Sequence, residues 1–514
     1  MTDRMTPSSQ PVQRRIKRGL LVLGIATLAA TAAGAEPPAA PGALSHADVL
    51  WLERLSYGAD AASAEHLRDV GRKRFLDEQL SGRNDVLPKA VQAQIDAMQI
   101  SKTPAAKMLA DEQAAQKRLR AMSDGDAKLD ARKARNQAGN DYAQEAMRRH
   151  LLRAVYSPAQ LKEQMDWFWL NHFSVFARKA AVRWLAADYE EHAIRPHALG
   201  KFRDLVMATL THPAMLQYLD NAQNAAGHVN ENYARELMEL HTLGVDAGYS
   251  QHDVQELARV LTGVGVAVDA NGPHRAGFVS DGLYAFYPAR HDFGDKVLLG
   301  QTIHGRGFAE VEQAVDLLVK QPACARFVSR KLAQYFVADD PPAALVDAMT
   351  RTFQNSDGDI AQVLRTLFAS AQFEASLGGK FKDPLHYVVS SVRLACNGGT
   401  IANQQPLLNW LNSQGEMLFG HQSPDGYALI ESAWASSGQM SRRFETARAI
   451  GSNYANVLEC VDNPRGDTPK LDNALFAAQL EPYLSAATRD ALAQAKSPRE
   501  WNAFLLASPE WNYR

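Results

Sequence analysis

Asn230-Glu231-Asn232-Tyr233-Ala234-Arg235-Glu236-Leu237-Met238-Glu239-Leu240-His241-Thr242-Leu243-Gly244 is a pattern that a helix turns into two faces. At about 100° per residue Tyr233, Leu237 and Leu240 fall on one apolar stripe, widened by Ala234, Met238 and His241. Asn232, Arg235, Glu236 and Glu239 fall on the other side, where three- and four-residue spacings let the Arg235, Glu236 and Glu239 heads meet. Gly244 is the expected stop, free to take positive φ. One reading of the polar side is a solvated face with a modest ion pair. The sharper reading is a cluster lining a cleft, in which two acids and an arginine hold one another at different pKa values. His241 points away from Glu236 and Glu239, so a metal site on this single helix is not expected and the cofactor stays unassigned.

Outward from this stretch the periodicity is helical almost everywhere. The expected fold is mostly α, a multi-helix orthogonal assembly. The 514 residues, 46% hydrophobic and 22% charged, supply a sizeable core, and 45–514 reads as one large helical domain. Residues 1–35 read as a secretory signal: Arg14-Arg15-Ile16-Lys17-Arg18, an uncharged apolar run over 19–33, then Ala33-Gly34-Ala35 as the cleavage site. The arginine pair leaves Sec and Tat export both open. A Pro/Ala linker fills 36–44. Cleavage after Ala35 would leave 50 basic against 56 acidic residues; this argues against nucleic acid, and no later apolar run is long enough for a membrane span. Cys324, Cys396 and Cys460 are too far apart for a local zinc or redox motif.

Residues 45–58 and 67–80 read as helices, and 89–152, rich in Ala, Lys, Arg, Gln, Asp and Glu, as a long exposed helical hairpin turning at Ser123-Asp124-Gly125-Asp126. Ser157-Pro158-Ala159-Gln160 reads as a capping box opening an aromatic helix over 161–178, with His172 in its apolar sector and Asn171 near Trp167. Asp188-Tyr189-Glu190-Glu191-His192-Ala193-Ile194-Arg195-Pro196-His197 follows. Ser250 and Asp253 form a second box ahead of a helix over 251–262. Residues 264–307 change character and read as a small β-hairpin insert carrying His291 and Asp292 on a loop. Asn355-Ser356-Asp357-Gly358-Asp359 lacks the glutamate of a calcium loop and reads as a turn plus helix cap.

Several motifs in this order resemble one family. They are Trp167-Phe168-Trp169-Leu170-Asn171-His172-Phe173, the run from Arg195 to Leu205, His212-Pro213 through Asp220-Asn221, the opening stretch from Asn230 to Gly244, Ala258-Arg259 through Thr262-Gly263, His291-Asp292 with Lys296, and Asp357-Gly358-Asp359. Over roughly 45–450 the chain resembles the bacterial domain-of-unknown-function family numbered 1800. The resemblance implies an exported, helical protein, often encoded beside a second exported family, numbered 1501, that looks like a sulfatase or alkaline phosphatase. The family supplies no agreed catalytic residues to carry over. Val264 stands where a tryptophan is usual.

Three functions fit these residues. The first is a hydrolase of an envelope or extracellular polymer, periplasmic or secreted, with Glu236, Glu239, His172 and Arg235 as catalytic groups. Asn171, Trp167, Asn232, His291 and Asp292 would bind substrate. The second is a non-catalytic partner of the sulfatase- or phosphatase-like protein, engaged through the 89–152 hairpin. The third is a helical metal-dependent enzyme, drawing on Glu236, Glu239, His172 and an acid from another helix.

Overall fold

Two helices with no solvent face organise the molecule. Gln160–His172 is buried at every position except Lys162, and all of Pro384–Cys396 is buried. A helix apolar all round would explain this, but these two carry Gln160, Glu163, Gln164, Asp166, Asn171, His172, His386 and Arg393 inside, so each polar head needs a partner there. Gln164 accepts from Arg514 at 2.9 Å, sits 3.0 Å from His386 Nε2 and donates to the Arg54 carbonyl at 3.3 Å. Arg393 Nε donates to the Gly58 carbonyl at 2.7 Å, and its fork also pairs with Asp60 at 2.6 Å.

The computed structural model describes residues 44–267, 276–401, 403–453, 458–459 and 467–514. The predicted signal over 1–35 and Cys460 lie outside them, as does all of the predicted linker but Leu44. Among the described residues the fold is mostly α, and no helix is long and apolar enough to cross a membrane. Cys324 and Cys396 are both buried.

Sequential helices pack as neighbours, Pro322–Phe336 on Ala343–Asn355 and Ala343–Asn355 on Ile360–Phe368, while Ser437–Gly451 packs on Pro498–Ala507 from further along the chain. Local chemistry sets many ends. Ser45 caps His46–Leu55, the Ser250/Asp253 box opens Gln251–Val260, and Asp359 caps Ile360–Phe368. Two expectations change. Gln160 does not close a capping box; its amide donates to the Ala154 and Ser157 carbonyls and accepts from Tyr57 N. The aromatic helix stops at His172 rather than 178, because Ala177 N donates to the Phe419 carbonyl at 3.0 Å and Tyr189 takes the Phe173 carbonyl at 2.8 Å.

The 89–152 segment forms Lys89–Ala97, Gln99–Lys102, Ala105–Ala121 and Asp126–Tyr156. Only part of it is exposed: from Gly139 on, the last helix turns Ala143, Ala146, Met147, Leu151 and Leu152 into the core. The 264–307 insert has more strands than one hairpin. Val264–Val266, Tyr284–Phe286 and Val279–Asp281 form an antiparallel sheet with Tyr284–Phe286 central, and Lys296–Leu298 pairs with Gln301–Ile303.

Candidate functional site

The stretch over 232–242 is α-helical only through Glu236. Over Leu237–Thr242 it widens to a π-helix, with Leu243 N bonding the Met238 carbonyl at 2.8 Å, five residues back. The Thr242 hydroxyl takes the Leu237 carbonyl at 2.6 Å, which occupies the acceptor of a regular turn. Gly244 then reverses the chain at φ +88°. The polar side lies at the surface as a solvated network. Arg235 reaches Glu239 at 3.4 Å, Glu231 at 3.2 Å and Gln251 at 2.8 Å, while Asn232 is exposed. Partial burial and the neighbouring Glu239 charge raise the Glu236 carboxyl.

His172 does not join that face. It is buried in a box of Phe168, Trp169, Phe173, Phe202 and Phe327, with Nε2 2.9 Å from the His241 carbonyl on the apolar side of the same helix. Burial, helped by the Lys331 charge, holds it well below the usual imidazole range. The expected convergence of His172 with Glu236 and Glu239 in an open hollow is therefore not formed: the helix itself stands between them.

Asn171 spends both ends of its amide on the 421–427 loop, donating to the Tyr427 carbonyl at 2.9 Å and accepting from Tyr427 N at 2.6 Å. Gly426 makes that approach possible at φ +73°, since a Cβ there would lie 2.1 Å from the Asn171 carbonyl oxygen. Trp167 is buried and stacks on Tyr427, with centroids 6.3 Å apart. Both act as a clamp and leave nothing free for a sugar. His291 is sealed as well, with Nδ1 2.7 Å from the Thr262 carbonyl and Nε2 2.9 Å from Glu310. Asp292 is bound by Arg259 at 2.8 Å and by Gly294 N at 2.8 Å; the Arg259 bond holds its carboxyl below the usual range. These two residues pin the insert to the body.

A dense arrangement of buried charge lies elsewhere. Arg149, His150 and Arg153 come from Asp126–Tyr156, Glu163 and Asp166 from Gln160–His172, and Glu190 and Glu191 from a second π-helix, Tyr189–Ile194. Such π segments occur often at functional sites. Arg195 forks onto Glu163 at 2.5 and 2.7 Å. Arg153 forks onto Glu191 at 2.8 and 3.2 Å. His150 Nδ1 lies 3.1 Å from Glu190 and 3.7 Å from Asp166. Burial and the Glu190 charge raise Asp166 well above the carboxylate range, whereas Glu190 is lowered: burial opposes its ionisation, but His150, Arg149 and Arg153 outweigh it. The sequence held a faint signal for this cluster, the acids Glu163 and Asp166 inside an aromatic helix. Only the packing of three elements brings them against His150 and Glu190.

Arg149, Arg153 and Glu191 also form the floor of an open groove of about 380 Å³ under 92–108. A second groove of about 610 Å³ adjoins it, sharing Ala105, Asp188 and His192 and running on to Thr211 and Tyr284. At the junction His192 Nδ1 is 2.8 Å from Asp188 Oδ1, and its side chain is 68% exposed. The other Asp188 oxygen is held by His212 Nε2 at 2.9 Å, because His212 Nδ1 is already accepting from Ala214 N at the start of the next helix. Burial opposes ionisation of Asp188, but the His212 and His192 contacts keep its carboxyl below the usual range. An apolar cavity of about 420 Å³ between 46–53 and 480–513 carries no comparable open pair: Lys382 lies 3.4 Å from Glu53 and 4.1 Å over the Trp511 ring.

No curated protein and no solved structure matches the chain. The model of the family described as protein of unknown function (DUF1800) matches residues 50–513. That match spans nearly the whole fold, from within His46–Leu55 to beyond Pro509–Asn512, and the chain belongs to the DUF1800 family.

Proposed function

We propose that the protein is an exported hydrolase acting in the paired grooves, with His192 as general base and Asp188 as the group that orients it. The observation that carries this is the Asp188–His192 pair at the groove junction. An ionised Asp188 fixes the proton on Nδ1 and leaves the outer Nε2 lone pair facing the opening. Glu191 stands one residue before His192 on the same π-helix and supplies a second carboxylate to the wall. Gln92, Asp96, Ser101 and Thr103 line the opposite side with amide, carboxylate and hydroxyl groups. That mixture suits a polyhydroxylated envelope or extracellular polymer better than an apolar ligand. Export rests on the signal pattern over 1–35.

The test is a screen of the purified protein against envelope glycans and phosphate or sulfate esters, alone and mixed with a sulfatase- or phosphatase-like exported partner. General base catalysis contributes about 10²–10⁴-fold. His192→Gln should lose at least about 100-fold in kcat while leaving Tm unchanged, since the side chain is mostly exposed. Full activity in His192→Gln sinks this assignment. Activity that appears only in the mixture, and survives that substitution, favours the non-catalytic partner role; the exposed portion of the hairpin over 105–138 is the surface that supports it.

A further inference from the structure

We infer that His150, Asp166 and Glu190 hold a divalent transition-metal ion of the zinc or manganese class. The inference rests on this cluster alone and stands or falls apart from the hydrolase reading. One atom from each of the three residues lies within 4.8 Å of the others. His150 Nδ1 faces both carboxylates, at 3.1 and 3.7 Å. Ligands about 2.0–2.2 Å from one ion sit roughly 3.0–4.2 Å from one another, depending on the angle between them. Small side-chain adjustments bring the three into that range. An imidazole nitrogen with two carboxylates suits zinc, manganese or iron, whereas calcium and magnesium favour all-oxygen sets.

The second observation is an unpartnered acid. Asp166 is completely buried and neither of its oxygens has a hydrogen-bond partner; the same holds for Glu190 Oε2. The nearest cations are already committed. Arg195 lies 3.9 Å from Asp166 but forks onto Glu163, and Arg149 lies 3.7 Å from Glu190 Oε2 but donates to the Ala187 carbonyl. Around the cluster stand three guanidiniums, Arg149, Arg153 and Arg195, and four carboxylates, Glu163, Asp166, Glu190 and Glu191. The carboxylates outnumber the guanidiniums by one, and Asp166 and Glu190 lie where water cannot solvate them, so the cluster favours a further cation. A proton on Asp166 would cancel that excess but would engage neither neighbouring ligand. An ion answers Asp166, Glu190 and His150 together. Arg149 and Arg153, which also floor the groove, would separate the ion from solvent and make its exchange slow.

The experiment is metal analysis of the full chain purified without a chelating tag, followed by thermal unfolding after chelation. Unfolding is then repeated with zinc, manganese, magnesium or calcium added back. About one equivalent of a transition metal per chain is expected. Chelation should lower Tm by several degrees, with zinc or manganese restoring it and magnesium and calcium doing so poorly. Asp166→Asn should abolish both the metal content and the response. Less than about a tenth of an equivalent, with a Tm that none of the four ions moves, overturns the site in favour of a protonated Asp166; Asp166→Asn, which imitates that neutral acid, would then match the wild type. If Asp166→Asn fails to fold, the wild-type metal content and ion response decide by themselves.

Discussion

His241 is carried into the core with neither ring nitrogen bonded, and burial pushes its pKa down to about 3. In the unfolded chain the same imidazole titrates near 6.5. Its folded-state pKa is the lower of the two, so the unfolded chain binds the extra proton; the contribution to stability is complete above about pH 6.5 and is lost as pH falls toward the folded value. At pH 5 that loss is about 2 kcal/mol. His241→Leu removes both the unpartnered nitrogens and the titration. Urea midpoints should match or exceed the wild type at pH 7.5, and the variant should gain a further ~2 kcal/mol relative to it at pH 5. Parallel pH profiles for the two proteins would show that His241 takes up its proton equally in the folded and unfolded states, and so is not sealed from water. At this scale the sequence placed His241 on the apolar side correctly, because helical periodicity is local. It had no means of showing that both nitrogens would go unbonded, since that depends on which rings close around them.

At the scale of elements, Glu310 shows how one side chain joins several. It occupies the third position of Phe308–Val319 and reaches back to the Arg306 and Gly307 amides at 2.6 and 2.8 Å. The same carboxylate meets His291 at 2.9 Å and is bonded by Lys296. Burial opposes its ionisation, but these donors keep it below the usual range. Glu310→Ala would strand a buried lysine and uncap a helix, at a cost of about 3–5 kcal/mol in denaturant unfolding. Glu310→Gln keeps the cap and should recover part of that loss. A cost below about 1 kcal/mol for the alanine variant would mean that the insert is not pinned through this residue. The loop pair His291 and Asp292 looked in sequence like binding groups because polar loop residues so often are. Its actual work, anchoring the insert, became visible only with Thr262, Arg259 and Glu310 around it.

For the molecule as a whole, the load is carried by the two buried helices, and the hairpin tip contributes little. Ser123, Asp124 and Gly125 lie far from the buried half of Asp126–Tyr156, and all three are exposed. A short Gly/Ser insertion between Asp124 and Gly125 should leave Tm unchanged, as a thermal melt would check; a clear drop would mean that the tip packs on something essential. The chain by itself determined the mostly α fold, many helix ends and the family, because caps, periodicity and ordered motifs are written in neighbouring residues. The glycine stop at Gly244, the box at Ser250 and the cap at Asp359 were all legible. Only the tertiary structure decided the candidate site. Reading a helix as two faces assumes that one of them meets water, and Gln160–His172 has no such face. Its acids and histidine had to find partners inside, so Asp166 met His150 and Glu190, His172 went to an aromatic box, and the open chemistry fell to Asp188 at the end of Val182–Asp188 and His192 on the π-helix that follows.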